Sequence, residues 1–292
     1  MSFKETFDKL SSIVDEALER YLPPADAYPA LIHQAMRYSV TGGKRLRPVL
    51  VMKAAETVGS KAEDVLPAAC ALEMIHAYSL IHDDLPAMDN DDYRRGKPAN
   101  HKVYGDAVAI LAGDALLTLA FSTLAGIRGS NPDAVVKIIG EIALAAGTFG
   151  MIGGQVVDTF SAGEDINENT LEYIHSRKTG ALYRAAVRTG AILAGAGDEK
   201  INKLTSYADN FGLAFQIIDD ILDIEGDAAK IGKPLGSDVK NKKATYPSLF
   251  GLEEARRKAR QAADRALSAL SCFGNEAEFL RMLVQYIIDR DH

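Results

Sequence analysis

Tryptophan is absent from this sequence, and cysteine occurs only at positions 70 and 272. Two isolated cysteines cannot build a disulfide framework or a four-thiolate zinc cage, so Cys70 and Cys272 read as ordinary residues of a reducing compartment. A staple is unnecessary in any case. A chain of 292 residues, 47% of them hydrophobic, is long enough to bury most of its unfolded surface. Basic excess is also missing: 33 Lys and Arg against 40 Asp and Glu leave a net charge of −7, which argues against a nucleic-acid partner. No uninterrupted apolar run reaches about 18 residues, so no membrane span is expected. The opening Met1-Ser-Phe-Lys-Glu lacks the basic head and apolar run of a secretory signal. A cytoplasmic protein is the expectation. Strict apolar–polar alternation is missing too, and with it any expected strand.

Helical periodicity is present from end to end. It predicts one all-α domain over residues 1–292, a bundle of about ten helices. The expected helices cover 3–21, 27–40, 45–59, 62–84, 105–127, 133–160, 168–195, 198–224, 245–270 and 276–290. Those at 62–84 and 198–224 are apolar nearly all round, which marks them as central. Each runs into a long polar break, 85–102 and 226–243. Loops of that length in a compact domain are usually functional.

Both central helices end in aspartates: Asp83-Asp84-Leu-Pro-Ala-Met-Asp89 and Asp219-Asp220-Ile-Leu-Asp223. Asp219 and Asp223 are four apart and share a helix face with Gln216. Asp83 and Asp89 are six apart with Pro86 between them, so the helix must stop near Asp84 and the loop must fold back. His76 and Ser79 form a polar stripe leading to Asp83. Carboxylates at a helix C-terminus oppose its dipole, and a hard cation with oxygen ligands would relieve them. Mg²⁺ prefers a few carboxylates completed by phosphates. Basic groups suited to phosphate follow: Gly42-Gly43-Lys44-Arg45-Leu46-Arg47, Arg94-Arg95-Gly96, Lys178-Thr179, Gly232-Lys233 and Lys242-Lys243. Two walls of one metal and phosphate site are expected.

Together with Gly153-Gly154-Gln155, Phe215-Gln216 and the terminal Tyr286–Arg290 stretch, these motifs resemble the trans-isoprenyl diphosphate synthases, bacterial farnesyl diphosphate synthases above all. They recur in order over nearly the whole chain. The resemblance implies three Mg²⁺ ions, held by Asp83, Asp89 and Asp219 with Asp84, Asp220 and Asp223 in support. It implies an allylic diphosphate on Arg94, Lys178, Thr179, Gln216, Lys233 and Lys243. It places isopentenyl diphosphate on Lys44, Arg47, His76 and Arg95. Gln155, Asp158, Asp238 and Phe215 would form a supporting shell, and the protein would be a homodimer acting on small isoprenoid diphosphates. Tyr78, five residues before Asp83 and beside Ser79, would floor the central cavity that the resemblance implies and stop the product at fifteen carbons.

Three rival readings compete. Glu73-Met-Ile-His76 and Glu172-Tyr-Ile-His175 have the Glu-x-x-His spacing of di-iron bundles, with Glu56 and Glu141 to complete a set. That leaves both aspartate clusters and the basic turns without a purpose. A terpene cyclase would need no second diphosphate site, and a non-catalytic partner subunit would not need intact metal and phosphate residues.

Overall fold

The structure is a computed structural model that describes residues 2–225 and 243–290. Among the described residues there are fourteen α-helices. Helix α1 spans Phe3–Tyr21, α2 Ala30–Val40, α3 Leu46–Thr57 and α4 Leu66–Asp83, the last preceded by a 3₁₀ turn. Next come α5 (Asn100–Tyr104), α6 (Asp106–Ala125), α7 (Pro132–Ala146), α8 (Met151–Phe160) and α9 (Glu168–Ile174). A π-helical segment, His175–Gly180, leads directly into α10 (Ala181–Leu193) and then α11 (Asp198–Glu225). The chain closes with α12 (Tyr246–Phe250), α13 (Leu252–Ala269) and α14 (Glu278–Asp289). The all-α expectation holds.

The local signals account for most boundaries. Ser2 and Glu5 form a reciprocal capping box at α1. Asn131 accepts from the Asp133 N–H ahead of Pro132 at α7. Helix α4 packs between α3 and α6, α10 lies on α3 and α11, and α11 lies on α13. As expected of central helices, α4 and α11 are buried along most of their length, with Leu72, Met74, Ile75, Tyr207 and Phe211 essentially inaccessible.

Four expectations need correction. Helix 133–160 is two helices, because Gly147-Thr-Phe-Gly150 supplies two poor helix formers in one turn. Helix 245–270 is likewise broken at Gly251, where φ is 79°. Helix 168–195 contains the π segment, and a side chain at Gly154 would lie 2.2 Å from the Lys178 nitrogen. Helix α8 therefore packs its bare backbone onto that segment. Finally, the loop after α4 holds a two-residue antiparallel ladder, with Tyr93 opposite Pro98 and Arg94 opposite Lys97. Its turn residues, Arg95 and Gly96, both have positive φ (54° and 75°), as a type I′ hairpin requires.

By length and composition alone, Ala62–Asp83, Asp106–Ala125 and Pro132–Phe160 are apolar enough to cross a membrane, though none is an unbroken apolar run. Within the fold the first is 67% buried, the other two 39% and 28%. The latter pair leaves Leu111, Val136, Leu144, Val156 and Phe160 exposed.

Candidate active site

Helix α4 stops at Asp83, and the loop folds back as the proline demands. The Asp89 N–H donates to the Asp83 carbonyl at 2.9 Å, and Asn90, in a left-handed conformation, donates to that of Leu85. The three carboxylates then diverge. Asp84 turns into the protein, 2% exposed, and accepts Arg94 Nε at 2.9 and 3.2 Å with its two oxygens. Asp89 accepts Lys243 Nζ at 3.1 Å on both oxygens. The Asp83 side chain makes no hydrogen bond or ion pair among the described residues. Burial pushes its carboxyl above the ordinary range, Lys178 opposes that, and Asp89 adds to it.

Helix α11 repeats the pattern. Asp220 is 2% exposed and points inward, accepting from the Tyr246 N–H and from Gln216 Nε2, each at 3.0 Å. It thereby ties α12 to α11. Asp219 points outward and accepts Arg290 Nη2 at 3.1 Å, while Asp223, one turn on, lines the same cavity. In each motif, then, the second aspartate is a structural anchor.

That cavity, about 390 Å³, lies between the end of α11 and the face of α4, and its wall includes Lys44, Arg47, His76, Arg94, Arg95 and Phe215. Burial and the positive field of Arg47, Arg95, Arg94 and Arg45 drive the His76 pKa well below its usual value, so its imidazole is neutral. Arg47 lies over the Tyr183 ring, 4.6 Å from its centroid, and its Nε is buried without a partner among the described residues. Lys178 and Thr179 come from the π segment. Lys178 donates to Asp158 at 2.6 Å and Thr179 to Gln216 at 2.9 Å. Gln155 has a buried, unpartnered Nε2 among the described residues. Lys233 and Asp238 lie outside the described residues.

Several expected residues fall outside this lining: Asp83, Asp84 and Asp89 at the end of α4, Lys178, Thr179, Gln216 and Lys243, and also Tyr78 and Ser79. Five residues back along a helix is about 140° round it, so Tyr78 leaves the face that carries His76. Its ring is buried edge-on against His82, and burial, reinforced by Asp83, raises its hydroxyl to about 12. Ser79 Oγ donates to the His76 carbonyl at 2.9 Å. The di-iron set does not assemble, and among the described residues no three His, Cys, Asp or Glu converge on one point. Glu56 is held by Lys53, Glu73 by Arg45 and Glu141 by Arg188.

Sequence reasoning missed two residues of this wall. Arg45 leaves the basic turn to be buried, and Arg290 stacks 4.3 Å from the Phe215 ring centroid while holding Asp219. Arg290 stood in a matched segment and Arg45 in a matched motif, but neither spacing shows a side-chain direction.

The family described as polyprenyl synthetase matches residues 29–283. The chain belongs to that family. Geranylgeranyl diphosphate synthase of Cyanophora paradoxa is 48% identical over 283 residues, covering 96% of this chain and 94% of that one. Farnesyl diphosphate synthase of Geobacillus stearothermophilus is 44% identical over 295 residues, covering 100% and 99%. Among solved structures, the apo FPP/GFPP synthase of Zymomonas mobilis superposes with a TM-score of 0.86 at 38% identity, covering 98% of each chain. This polyprenyl synthetase is a prenyltransferase, and the names of its relatives divide between farnesyl and geranylgeranyl products.

A small hard cation fits the end of α4. Asp83 is a largely enclosed carboxylate whose burial is not offset by any hydrogen bond among the described residues. Asp89 beside it is held by a lysine, which can be exchanged for a metal. Asp219 near the end of α11, held by Arg290, could ligate in the same way. Since Mg²⁺ takes only one or two carboxylates when phosphates complete its shell, a three-carboxylate cluster is not required.

The Asp158 carboxylate has a testable signature. Burial alone would raise its pKa, yet Lys178 and Lys243 together hold it below the ordinary 3.8. A folded-state pKa below the unfolded one stabilises the protein above the unfolded value and is lost as pH falls through the folded one. Asp158→Asn should cost about 1–3 kcal/mol at pH 7. In denaturant titrations the gap from wild type should close below pH 3.8.

Proposed function

We propose that this prenyltransferase condenses isopentenyl diphosphate with dimethylallyl or geranyl diphosphate, with Mg²⁺, and releases farnesyl diphosphate. One observation carries the reading. Asp219 and Asp223 of α11 line one cavity with Lys44, Arg47, Arg94, Arg95 and a neutral histidine, and Asp84 at the end of α4 holds the Arg94 of that wall. Anions are the cargo such a wall suits, and the two aspartate sets supply metal ligands beside it.

In this reading Asp83, Asp89 and Asp219 hold the metal, while Asp84, Asp220 and Asp223 support them. Arg94, Lys178, Thr179, Gln216, Lys233 and Lys243 receive the allylic diphosphate. Lys44, Arg47, His76 and Arg95 receive isopentenyl diphosphate. Bound Mg²⁺ would supply positive charge to the diphosphate as it leaves. The chain's own cations, preorganised in a partly enclosed site, stabilise the same developing charge. The allylic carbon–oxygen bond breaks. The isopentenyl double bond then attacks the allylic carbon, forming the new carbon–carbon bond, and a proton passes to the released diphosphate. Neutral His76 suits a hydrogen-bonding role at the second diphosphate and leaves proton removal to that leaving group.

For product length, Tyr78 supports the fifteen-carbon reading from the α6 side of α4. Its ring is buried against His82, outside the charged cavity, and in this reading a chain growing past Asp83 on that side would meet it. The geranylgeranyl synthases among the relatives mark twenty carbons as the competing outcome. We further propose a homodimer joined through α6, α7 and α8. Exposed Leu111, Val136, Leu144, Val156 and Phe160 on these helices support it, since apolar side chains in such numbers ask for a partner surface. A cytoplasmic setting is supported by the two cysteines, which are not joined to each other.

Incubation with Mg²⁺, isopentenyl diphosphate and dimethylallyl diphosphate should release pyrophosphate and yield a fifteen-carbon product. Chelation should abolish this, and Asp89→Asn should lower kcat by about 10²–10³-fold. No condensation by the wild type overturns the reading. Tyr78→Ala should lengthen the product measured by chromatography, and an unchanged length would move the floor elsewhere. Light scattering should give twice the chain mass, and Val136→Glu should shift it toward the single-chain value.

A further inference from the structure

The sequence singles out Glu73 only as part of an iron-binding pattern, and nothing in the reaction above uses it. It is nonetheless among the most enclosed charges in the fold, 2% exposed, in the wall of the proposed diphosphate cavity. Its Oε1 accepts Arg45 Nη1 at 2.7 Å and lies 3.7 Å from Arg95 Nη2. Both arginines have the left-handed backbone that side chains rarely adopt, φ 50° at Arg45 and 54° at Arg95. Such conformations persist only where the surroundings enforce them. At Arg95 the two-residue turn of the hairpin imposes it, and one carboxylate, Glu73, lies beside both guanidinium groups.

The two arginines fix the basic turn from opposite sides. Arg45 donates from Nε to Asp15 at 2.6 Å and from Nη2 to the Val40 carbonyl at 2.8 Å, which pins the start of α3. Arg95 donates to the Gly42 carbonyl at 2.6 Å, and its guanidinium covers Gly43 so closely that a Cβ there would be 2.5 Å from Cζ. Lys44 and Arg47 follow from that turn, and His76 stands one helical turn beyond Glu73. Arg94 is anchored elsewhere, on Asp84 and Asp91.

We propose that Glu73 is a positioning residue for the isopentenyl diphosphate site, seating Arg45 and Arg95 so that the Gly42–Arg47 turn presents its cations to one diphosphate and not the other. The inference rests on the substrate assignment made under Proposed function. A purely electrostatic role predicts the opposite sign. A carboxylate among Arg45, Arg47, Arg94 and Arg95 weakens the field that attracts anions, so its removal would strengthen diphosphate binding. Seating predicts that removal weakens it, on one substrate only.

The test varies isopentenyl and geranyl diphosphate separately with full-length wild type and Glu73→Gln in the presence of Mg²⁺. Loss of a charge-assisted contact of this kind should raise KM for isopentenyl diphosphate about tenfold or more. KM for geranyl diphosphate and kcat should stay within about threefold. A lowered KM for isopentenyl diphosphate, equal rises for both substrates, or a fall in kcat alone would each overturn the role of Glu73. Where circular dichroism shows that Glu73→Gln does not fold, Glu73→Asp carries the test. It keeps the charge but withdraws it from Arg95, and should give a smaller rise on the same substrate, while an unchanged KM refutes the role. Wild-type protein inactive with isopentenyl diphosphate would instead overturn the substrate assignment, so the two failures are distinguishable.

Discussion

Charge of both signs is concentrated around the ends of α4 and α11, and buried charge is tolerated only where it is paired or hydrogen-bonded. That constraint shapes the site. Four enclosed carboxylates, Glu73, Asp84, Asp158 and Asp220, each take a different partner: Arg45, Arg94, Lys178, and the Gln216 side chain with the Tyr246 N–H. Three of these pairings also fix a segment that the helices do not hold, namely the basic turn before α3, the hairpin after α4, and α12. The remaining carboxylates, Asp83, Asp89 and Asp219, are left near lysines and an arginine that, on the proposed function, a substrate and its metal would displace. The first four acids build the site, and the other three would take exchangeable partners.

The hairpin shows how a small backbone feature serves this division. Arg94 and Arg95 are adjacent, yet Arg94 runs to Asp84 and Asp91 while Arg95 runs to Gly42 and the neighbourhood of Glu73. In an extended strand, neighbours already point to opposite faces. The left-handed φ at Arg95 turns the chain there, so two adjacent cations serve two separate places. The strain of such a residue, about 1–3 kcal/mol, is sustained by the hairpin turn and by the contacts its guanidinium makes.

Much of this was legible before any coordinates. Period 3.6 is a strong signal over long segments, which is why the all-α fold, the central position of α4 and α11, and the folded-back loop with Asp89 on Asp83 could be read directly. What could not be read depends on direction. Spacing places Asp83, Asp84 and Asp89 together but does not say that Asp84 turns inward, because that follows from where Arg94 lands after a turn ten residues later. Arg45 looked like one more phosphate ligand in a basic run, and a single left-handed residue sends it into the core instead. The breaks at Gly147–Gly150 and Gly251 and the π segment are local decisions, made by one or two glycines or by the close approach of α8, below the resolution of a periodicity argument. The hairpin is two residues per strand, too short for alternation to register.

Helix α4 separates two sets of side chains. At about 100° per residue, Glu73, His76, Leu80 and Asp83 fall within about 80° of one another, and the first three line the charged cavity. Tyr78 and His82 fall on the opposite side, where His82 donates from Nε2 to the Ile110 carbonyl at 3.0 Å and packs on α6 over Gly113. On the proposed function, charge recognition and the apolar boundary would thereby be separated by about half a turn of one helix. A change on the Tyr78 side can alter the space beside α6 without moving Glu73 or His76, and a change at Glu73 can loosen the basic turn without touching the tyrosine. In a family whose members differ in product name at closely similar identity, the proposed function would let apolar length vary on one side of α4 while the diphosphate chemistry stays fixed on the other.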